Sequence, residues 1–229
     1  MYNIRMPDRA FVSAWAQDYS EETQLAKFKQ LLETVPLPEA WPGFSALIVR
    51  AVDGAESPVR ELDLRSLPVS AAEIMELLRE HSGGDMAYEV HAPWELWVFD
   101  VEAGRWSRKP QVLEITCHGP DYDGGIAAEQ GDFLIGIGFE HLFAGYAGLL
   151  AKDAPQNAES APLEEERFLA AMSTPERLRE YHQRTRENIQ FLFRWLQEAE
   201  AAVPLERYRL WSEGEENFEA RLDEILAVH

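Results

Sequence analysis

Three consecutive segments of alternating apolar residues constrain the fold of this chain more than any other feature. They cover residues 86–101, 106–117 and 132–139; a short turn separates the first two, and a longer, turn-rich loop separates the second from the third. Successive side chains of a strand point to opposite faces of a sheet, so alternation of this kind predicts strands. Short connections between strands favour antiparallel pairing. The sequence therefore predicts an antiparallel meander in the middle of the chain.

Two further signals extend this prediction towards the N-terminus. A short apolar run at residues 44–49 lies between turn-forming residues and predicts another strand. Ser70 and Glu73 form a capping-box pattern, which predicts a helix over residues 70–82. Four successive strands with one intervening helix do not suit a parallel, doubly wound sheet. We therefore predict an α+β fold, in which helices pack on an antiparallel sheet of four or five strands drawn from residues 43–140.

The C-terminal third of the sequence carries the longest helix signal. Thr174 is a suitable N-cap, Pro175 is a suitable first helical residue, and apolar residues then hold one helical face until Pro204. Such a helix is roughly 40 Å long at about 1.5 Å per residue. Because its apolar stripe is longer than one sheet needs, we predict a homodimer through residues 174–203.

A polar segment separates the strand-rich part of the sequence from this helical end. Residues 152–162 are mostly polar or small and include prolines at both 155 and 162, a composition typical of a linker. We therefore predict an α+β sheet domain over residues 1–151 and a helix-rich C-terminal part over residues 163–229. The apolar stripe of the long helix favours one shared core for the two parts over two independent units.

Acidic residues outnumber basic residues by 41 to 21, which gives a formal net charge of −20. A field of this sign repels nucleic acid and anionic membrane surfaces, so neither is a predicted partner, whereas a basic protein partner is favoured. No stretch approaches the roughly 20 apolar residues of a membrane span. The single cysteine cannot form an intramolecular disulfide. These features together predict a soluble cytoplasmic protein.

The residues best suited to chemistry surround a turn-rich loop after the second alternating segment. Residues 117–123 include a thiol, an imidazole and two carboxylates, and a second imidazole follows the third segment. The candidate catalytic residues are His118, Asp121 and His141. His118 and Asp123 are the candidate ligands of a divalent metal, and no other cofactor is predicted. The alternative is that this loop only forms a turn, because Asp and Gly favour turn conformations.

Alternation also assigns the residues of this loop to faces of the sheet. Cys117 shares a face with apolar residues, whereas His118 points to the opposite, more polar face. His118 is therefore poorly placed to act as the base for Cys117, and the thiol is predicted to be a small buried side chain. His118 and His141 meet only if their strands pair in the required register.

Aromatic residues provide a further candidate surface for a ligand or partner. The predicted surface consists of Trp94, Trp97, Trp106 and Tyr122. Because the sequence has no catalytic motif of high specificity, the leading hypothesis is a non-enzymatic cytoplasmic interaction or regulatory protein with an acidic, aromatic-bearing surface. The alternative is a small hydrolase or metal-dependent enzyme centred on the loop at residues 117–123.

Overall fold

Seven strands form one antiparallel sheet. A computed structural model describes residues 8–100, 103–144 and 170–227. The strands within these ranges are β1 (Arg9–Ala16), β2 (Ala46–Ala51), β3 (Arg60–Asp63), β4 (Met86–Asp100), β5 (Arg105–His118), β6 (Phe133–Phe139) and β7 (Leu205–Ser212). Their spatial order is β3-β2-β4-β5-β6-β1-β7, so the long β4–β5 hairpin lies near the centre of the sheet.

Most of the helices pack on one face of this sheet, which we call the inner face. The α-helices of the described residues are α1 (Glu21–Glu33), α2 (Ala71–Leu78), α3 (Ala127–Gln130), α4 (Pro175–Ala202) and α5 (Phe218–Ala227). Phe28 of α1 stacks on Tyr88 of β4 with 6.3 Å between ring centroids. Trp195 of α4 meets Trp94 of β4 edge-on at 6.1 Å. The inner face and its helices therefore share one hydrophobic core.

The predicted α+β class is confirmed, but the predicted sheet of four or five strands is too small. Five strands, β2 to β6, come from residues 43–140, and the chain ends supply β1 and β7. In β7 only Leu210 is fully buried, and charged side chains occupy most of the exposed positions. Strand formation there depends on pairing with the distant β1, which local apolar alternation does not reveal.

This seventh strand also changes the description of the C-terminal part. Residues 175–227 contain two helices with β7 between them, so this region is only partly helical. Because β7 pairs with β1, the C-terminal region completes a sheet that the N-terminal region begins. The predicted linker at residues 152–162 lies outside the described residues.

Local capping patterns account for the starts of two helices. The Ser70 hydroxyl accepts a hydrogen bond from the Glu73 N–H at 3.3 Å, and the Glu73 carboxylate accepts one from the Ser70 N–H at 2.8 Å. This is the predicted capping box, although α2 ends at Leu78 rather than at residue 82. Thr174 likewise caps α4 through the N–H of Arg177, with proline at the first helical position.

Helix α4 protects the edge of β4 that extends beyond β2. The Asn188 side chain accepts a hydrogen bond from the Trp97 N–H at 2.8 Å and donates one to the Trp97 carbonyl at 3.0 Å. It also donates to the carbonyl of Leu142 at 3.0 Å. One buried amide therefore takes the place of a neighbouring strand along this edge.

The apolar stripe of α4 packs within the chain itself. Ile189 and Leu192 are completely buried, and Tyr181 is 3% exposed. The reason for predicting a homodimer was an apolar surface too long for one sheet to cover, and these residues do not provide such a surface. A homodimer through residues 174–203 stays a prediction that this stripe does not support.

Candidate functional site

The face of the sheet opposite helices α1, α2 and α4, which we call the outer face, is polar along β4 and β5. Cys117 lies in the inner core and is completely buried, so the next residue, His118, points to the outer face. The structure therefore confirms the face of the sheet that was predicted for Cys117 and for His118. Burial raises the pKa of the Cys117 thiol to about 12, which keeps it protonated and unreactive.

Residues 119–131 fold over one end of the outer face and border a cavity that is partly open to solvent. The loop is fixed by the indole N–H of Trp15, which donates to the Ala127 carbonyl at 3.0 Å. The cavity has a volume of about 190 Å³. Its lining consists of Arg50, Gly54, Ala87, Glu89, Thr116, His118, Tyr122, Asp123, Ile126 and Gln130.

His118 is held in one protonation state and one orientation. Its Nδ1 lies 2.8 Å from the carbonyl oxygen of Gly131. A carbonyl only accepts, so Nδ1 carries the proton and Nε2 presents a lone pair. Burial lowers the pKa of His118, which favours this neutral form. Among the described residues, none hydrogen-bonds to Nε2.

Tyr122 forms a wall of the cavity beside this imidazole. The two rings are nearly parallel, with 5.9 Å between centroids and 9° between planes. The Tyr122 hydroxyl lies 3.6 Å from the position that a Cβ atom would occupy on Gly54, and the Asp123 carboxylate lies 3.8 Å from that position. Burial raises the pKa of Tyr122, so its hydroxyl remains a hydrogen-bond donor. No described residue accepts from this hydroxyl.

Two residues with strained backbones join the loops at the rim of the cavity. Val52 has φ of 71° and Asp123 has φ of 48°. Left-handed backbone is tolerated by aspartate but is unusual for a β-branched residue. The N–H of Asp123 donates to the carbonyl of Val52 at 2.7 Å, which links the two turns directly. Strain of about 1–3 kcal/mol per residue persists only where the surroundings enforce it, and it concentrates at binding and catalytic sites.

Two ion pairs continue the polar surface away from the cavity. Glu89 Oε1 lies 2.6 Å from His91 Nε2, and Arg9 Nη2 lies 2.6 Å from Glu114 Oε2. The hydrogen bond from His91 lowers the pKa of Glu89, and the same bond raises the pKa of His91. Glu89 therefore borders the cavity as a carboxylate whose charge is partly balanced by its neighbour.

The structure brings together three of the predicted site residues and separates two others. His118, Tyr122 and Asp123 line the same cavity, whereas Asp121 does not, because its side chain lies beside Gly84 on the outside of the turn. His141 is also remote. Cys117 pairs with Phe133, so His118 lies at the start of β6, and His141 follows the end of that strand. The strand between them is about 20 Å long.

Both predicted ligands of the candidate metal site, His118 and Asp123, line this cavity. In the ranges that the structure describes, no three His, Cys, Asp or Glu side chains are grouped so that they could hold a metal ion. Zinc in catalytic sites has three protein ligands, so these two residues alone do not match such a site.

The predicted aromatic surface does not form. Trp94 is completely buried between Phe143 and Trp195, on the face of β4 opposite to Trp97. The remaining members are dispersed. The Arg184 guanidinium lies 3.9 Å from the Trp97 ring centroid, Trp106 packs on Tyr181 at 5.8 Å, and Tyr122 lines the cavity. Alternation along β4 itself separates Trp94 from Trp97, since they are an odd number of residues apart.

Some cavity residues are not evident from the sequence. Arg50 pairs with Ala87, and Ala87 pairs with His118, so these residues form one row across three strands. Local patterns place Ala87 and His118 on strands, but the register that adds Arg50 comes from tertiary pairing. The sequence does indicate the position of Glu89, because this residue lies two residues from Ala87 and therefore on the same face of β4.

Comparison with known proteins identifies no relative. No protein-family model, curated protein or solved structure matches this chain. Within the described residues, no helix is both long enough and apolar enough to cross a membrane. The function proposed for the chain therefore rests on the chemistry of the cavity.

The protonation state of His118 gives a first testable prediction. We expect its ring to titrate below the ordinary value of 6.5 and to keep its proton on Nδ1, because burial disfavours the imidazolium and Gly131 requires a donor. Nitrogen NMR of the labelled histidine rings across a pH series measures both properties. A proton on Nε2, or a titration midpoint above 6.5, would contradict the assigned hydrogen bond.

Proposed function

We propose that this chain is a regulatory protein that binds a small polar molecule in the cavity beside His118. The observation that supports this proposal is a pair of unused hydrogen-bonding groups. Among the described residues, neither Nε2 of His118 nor the hydroxyl of Tyr122 has a hydrogen-bond partner, and both residues line the cavity. A small polar molecule in the cavity could accept a hydrogen bond from Tyr122 and donate one to His118, and so use both groups.

The volume of the cavity supports a small ligand. A volume of about 190 Å³ is below the range of roughly 300–1,000 Å³ found for sites that hold drug-sized molecules. It corresponds to about six water molecules at ~30 Å³ each. A molecule with fewer than about ten non-hydrogen atoms suits this space, and the strained, hydrogen-bonded rim would hold the site in shape without the ligand.

The regulatory part of this proposal includes a basic protein partner and a cytoplasmic location. The net charge of −20 supports such a partner, because complementary charge accelerates association and discriminates between partners. A single cysteine that is completely buried and protonated suits a reducing compartment. The cavity would then be the point at which a small molecule changes binding of the partner.

A second candidate function is proton-transfer catalysis, as in a small hydrolase. The specific support is the tautomer of His118, since a neutral imidazole with a free Nε2 is the form needed in a general base. Arg50 and Gln130 line the same cavity and are suitable donors to a developing negative charge. In this case, His118→Gln would abolish turnover of a bound molecule, whereas a pure binding protein would convert no ligand.

Blocking the cavity tests the proposed binding directly. Gly54 borders the cavity, has no left-handed backbone and is exposed, so Gly54→Leu should fill the space and change the free energy of unfolding by only about 0.5 kcal/mol or less. We expect small polar fragments to shift the His118 ring signals of the wild-type protein but not those of this variant.

Ala55→Leu is the matched control, because the neighbouring residue is also exposed and does not line the cavity. It should retain the wild-type response to each fragment. Binding that is equally strong in Gly54→Leu would place the ligand elsewhere. The absence of any His118 response across a fragment library in the wild-type protein would overturn the proposed function.

A further inference from the structure

We infer that the ligand of this cavity is a small zwitterion that carries one ammonium group and one carboxylate, as a free amino acid does. This inference rests on the proposed binding function. It follows from the arrangement of charges and hydrogen-bonding groups around the cavity, which offers separate complements to the two charges.

The pairing of the strands determines where the positively charged side chain of the cavity lies. Arg50, Ala87 and His118 lie side by side on β2, β4 and β5. Adjacent strands are about 4.8 Å apart, so the backbones of Arg50 and His118 are separated by roughly 10 Å, with the methyl group of Ala87 between them. A small molecule can therefore lie over Ala87 with one end towards each of the longer side chains.

The two ends of this row attract opposite groups. The Arg50 guanidinium can form two parallel hydrogen bonds to a carboxylate. Nε2 of neutral His118 accepts a hydrogen bond and so requires a donor, which an ammonium group supplies. Asp123 and Glu89 add carboxylates to the lining and favour the positive group, while the Tyr122 hydroxyl is available to donate to the negative one.

A ligand with a single charge would fit this lining less well. A simple anion that met Arg50 would also meet the carboxylates of Asp123 and Glu89, within a chain whose net charge is −20. A simple cation would meet the guanidinium. Burying either charge beside a like charge is unfavourable, whereas a zwitterion places each charge beside its complement.

The remaining lining restricts the side chain of such a ligand. Ala87 and Ile126 provide small apolar contacts, and the cavity holds the equivalent of about six water molecules. This space suits amino acids with short side chains and excludes those with large aromatic rings.

The test compares an amino acid with derivatives that lack one charge. The probes are L-alanine, N-acetyl-L-alanine, which has no ammonium group, and L-alaninamide, which has no carboxylate. The other common amino acids are added individually, and binding is followed through the His118 ring signals of the full chain. We expect at least one short-chain amino acid to bind, and both derivatives of L-alanine to bind at least tenfold more weakly than L-alanine.

Two substitutions test which residue binds each charge of the ligand. Arg50→Gln should weaken binding of the amino acid at least tenfold but should not weaken binding of L-alaninamide, because this probe has no carboxylate. Asp123→Asn should weaken the amino acid but not N-acetyl-L-alanine, and asparagine tolerates the φ of 48° at this position. Arg194→Gln is the matched control, since Arg194 is exposed on α4 and does not line the cavity.

The outcomes separate this inference from the proposed function. One outcome is that the derivatives bind as tightly as L-alanine, and another is that only fragments other than amino acids shift the His118 signals. In either case the inferred zwitterionic ligand is wrong, but the proposed binding of a small molecule still holds. If no fragment and no amino acid shifts these signals, both are wrong. If Arg194→Gln weakened binding as much as Arg50→Gln does, the inference would also be overturned, because the effect would then be one of net charge.

Discussion

Replacement of Asn188 by alanine is expected to lower the free energy of unfolding by about 3–5 kcal/mol, because it leaves three backbone groups without partners at about 1–3 kcal/mol each where they are buried. The groups are the N–H and the carbonyl of Trp97 and the carbonyl of Leu142. Asn188 is 2% exposed, so water has little access to replace the lost amide. Urea denaturation of the wild-type and variant proteins at neutral pH measures this difference.

Gln190→Ala is the control for this experiment. Gln190 is on the same helix and is exposed, so its replacement should change stability by about 0.5 kcal/mol or less. A loss below 1 kcal/mol in Asn188→Ala would show that the edge of β4 does not depend on this amide.

Asn188 also illustrates which parts of the fold the sequence can predict. The helical stripe of α4 and its N-terminal cap are local patterns, and both are found in the structure. The role of Asn188 is not local, because its partners are 91 and 46 residues away. A polar residue in an apolar helical stripe signals some buried partner, but the sequence does not specify which one.

The strands also divide into those that local patterns predict and those that depend on distant partners. Alternation along β4, β5 and β6 places the inner-face and outer-face residues correctly, because the burial of one face imposes that pattern. The two strands from the chain ends are different. β1 contributes mostly small residues, such as Ala10 and Ala14, to the core, and its neighbours are β6 and β7 from much later in the chain.

The sequence likewise predicts part of the candidate site. The face that His118 occupies follows from alternation, and the turn of residues 121–125 follows from its Asp and Gly content. Whether His118 meets His141 depends on the register of β5 and β6, which alternation alone leaves undetermined. The observed register places the two imidazoles at opposite ends of β6. The same dependence on pairing explains why Arg50 enters the site.

Acidification is expected to destabilise the protein through a histidine outside the cavity. His141 stacks on Phe139 at 5.8 Å between ring centroids, and burial lowers its pKa from 6.5 to about 4. In the unfolded chain this residue takes up a proton near pH 6.5, whereas in the folded protein it does so only near pH 4. Between these values the unfolded state binds more protons, so stability falls as the pH falls.

Other ionisable groups of the described residues modify this fall in stability. Burial raises the pKa of Asp132, so this carboxyl takes up its proton at a higher pH in the folded protein and partly offsets the fall. The pKa of His91 is raised by Glu89, so below pH 6.5 this residue is protonated in both states and its contribution is constant. The pKa of Glu89 is lowered, so its stabilising effect is lost only as the pH falls below about 4.5. His118 and His182 have lowered pKa values and add to the loss in the same direction as His141.

The size of the effect follows from the shift of His141. At about 1.4 kcal/mol per pH unit, one histidine with this pKa removes about 3 kcal/mol of stability between pH 6.5 and about pH 4. His141→Phe should abolish most of this loss, because phenylalanine can keep the stacking on Phe139 and cannot take up a proton. His182→Gln, at an exposed position of α4, should remove much less of it. Urea denaturation across this pH interval measures the slopes, and parallel slopes for the wild-type protein and His141→Phe would show that His141 is not the group responsible.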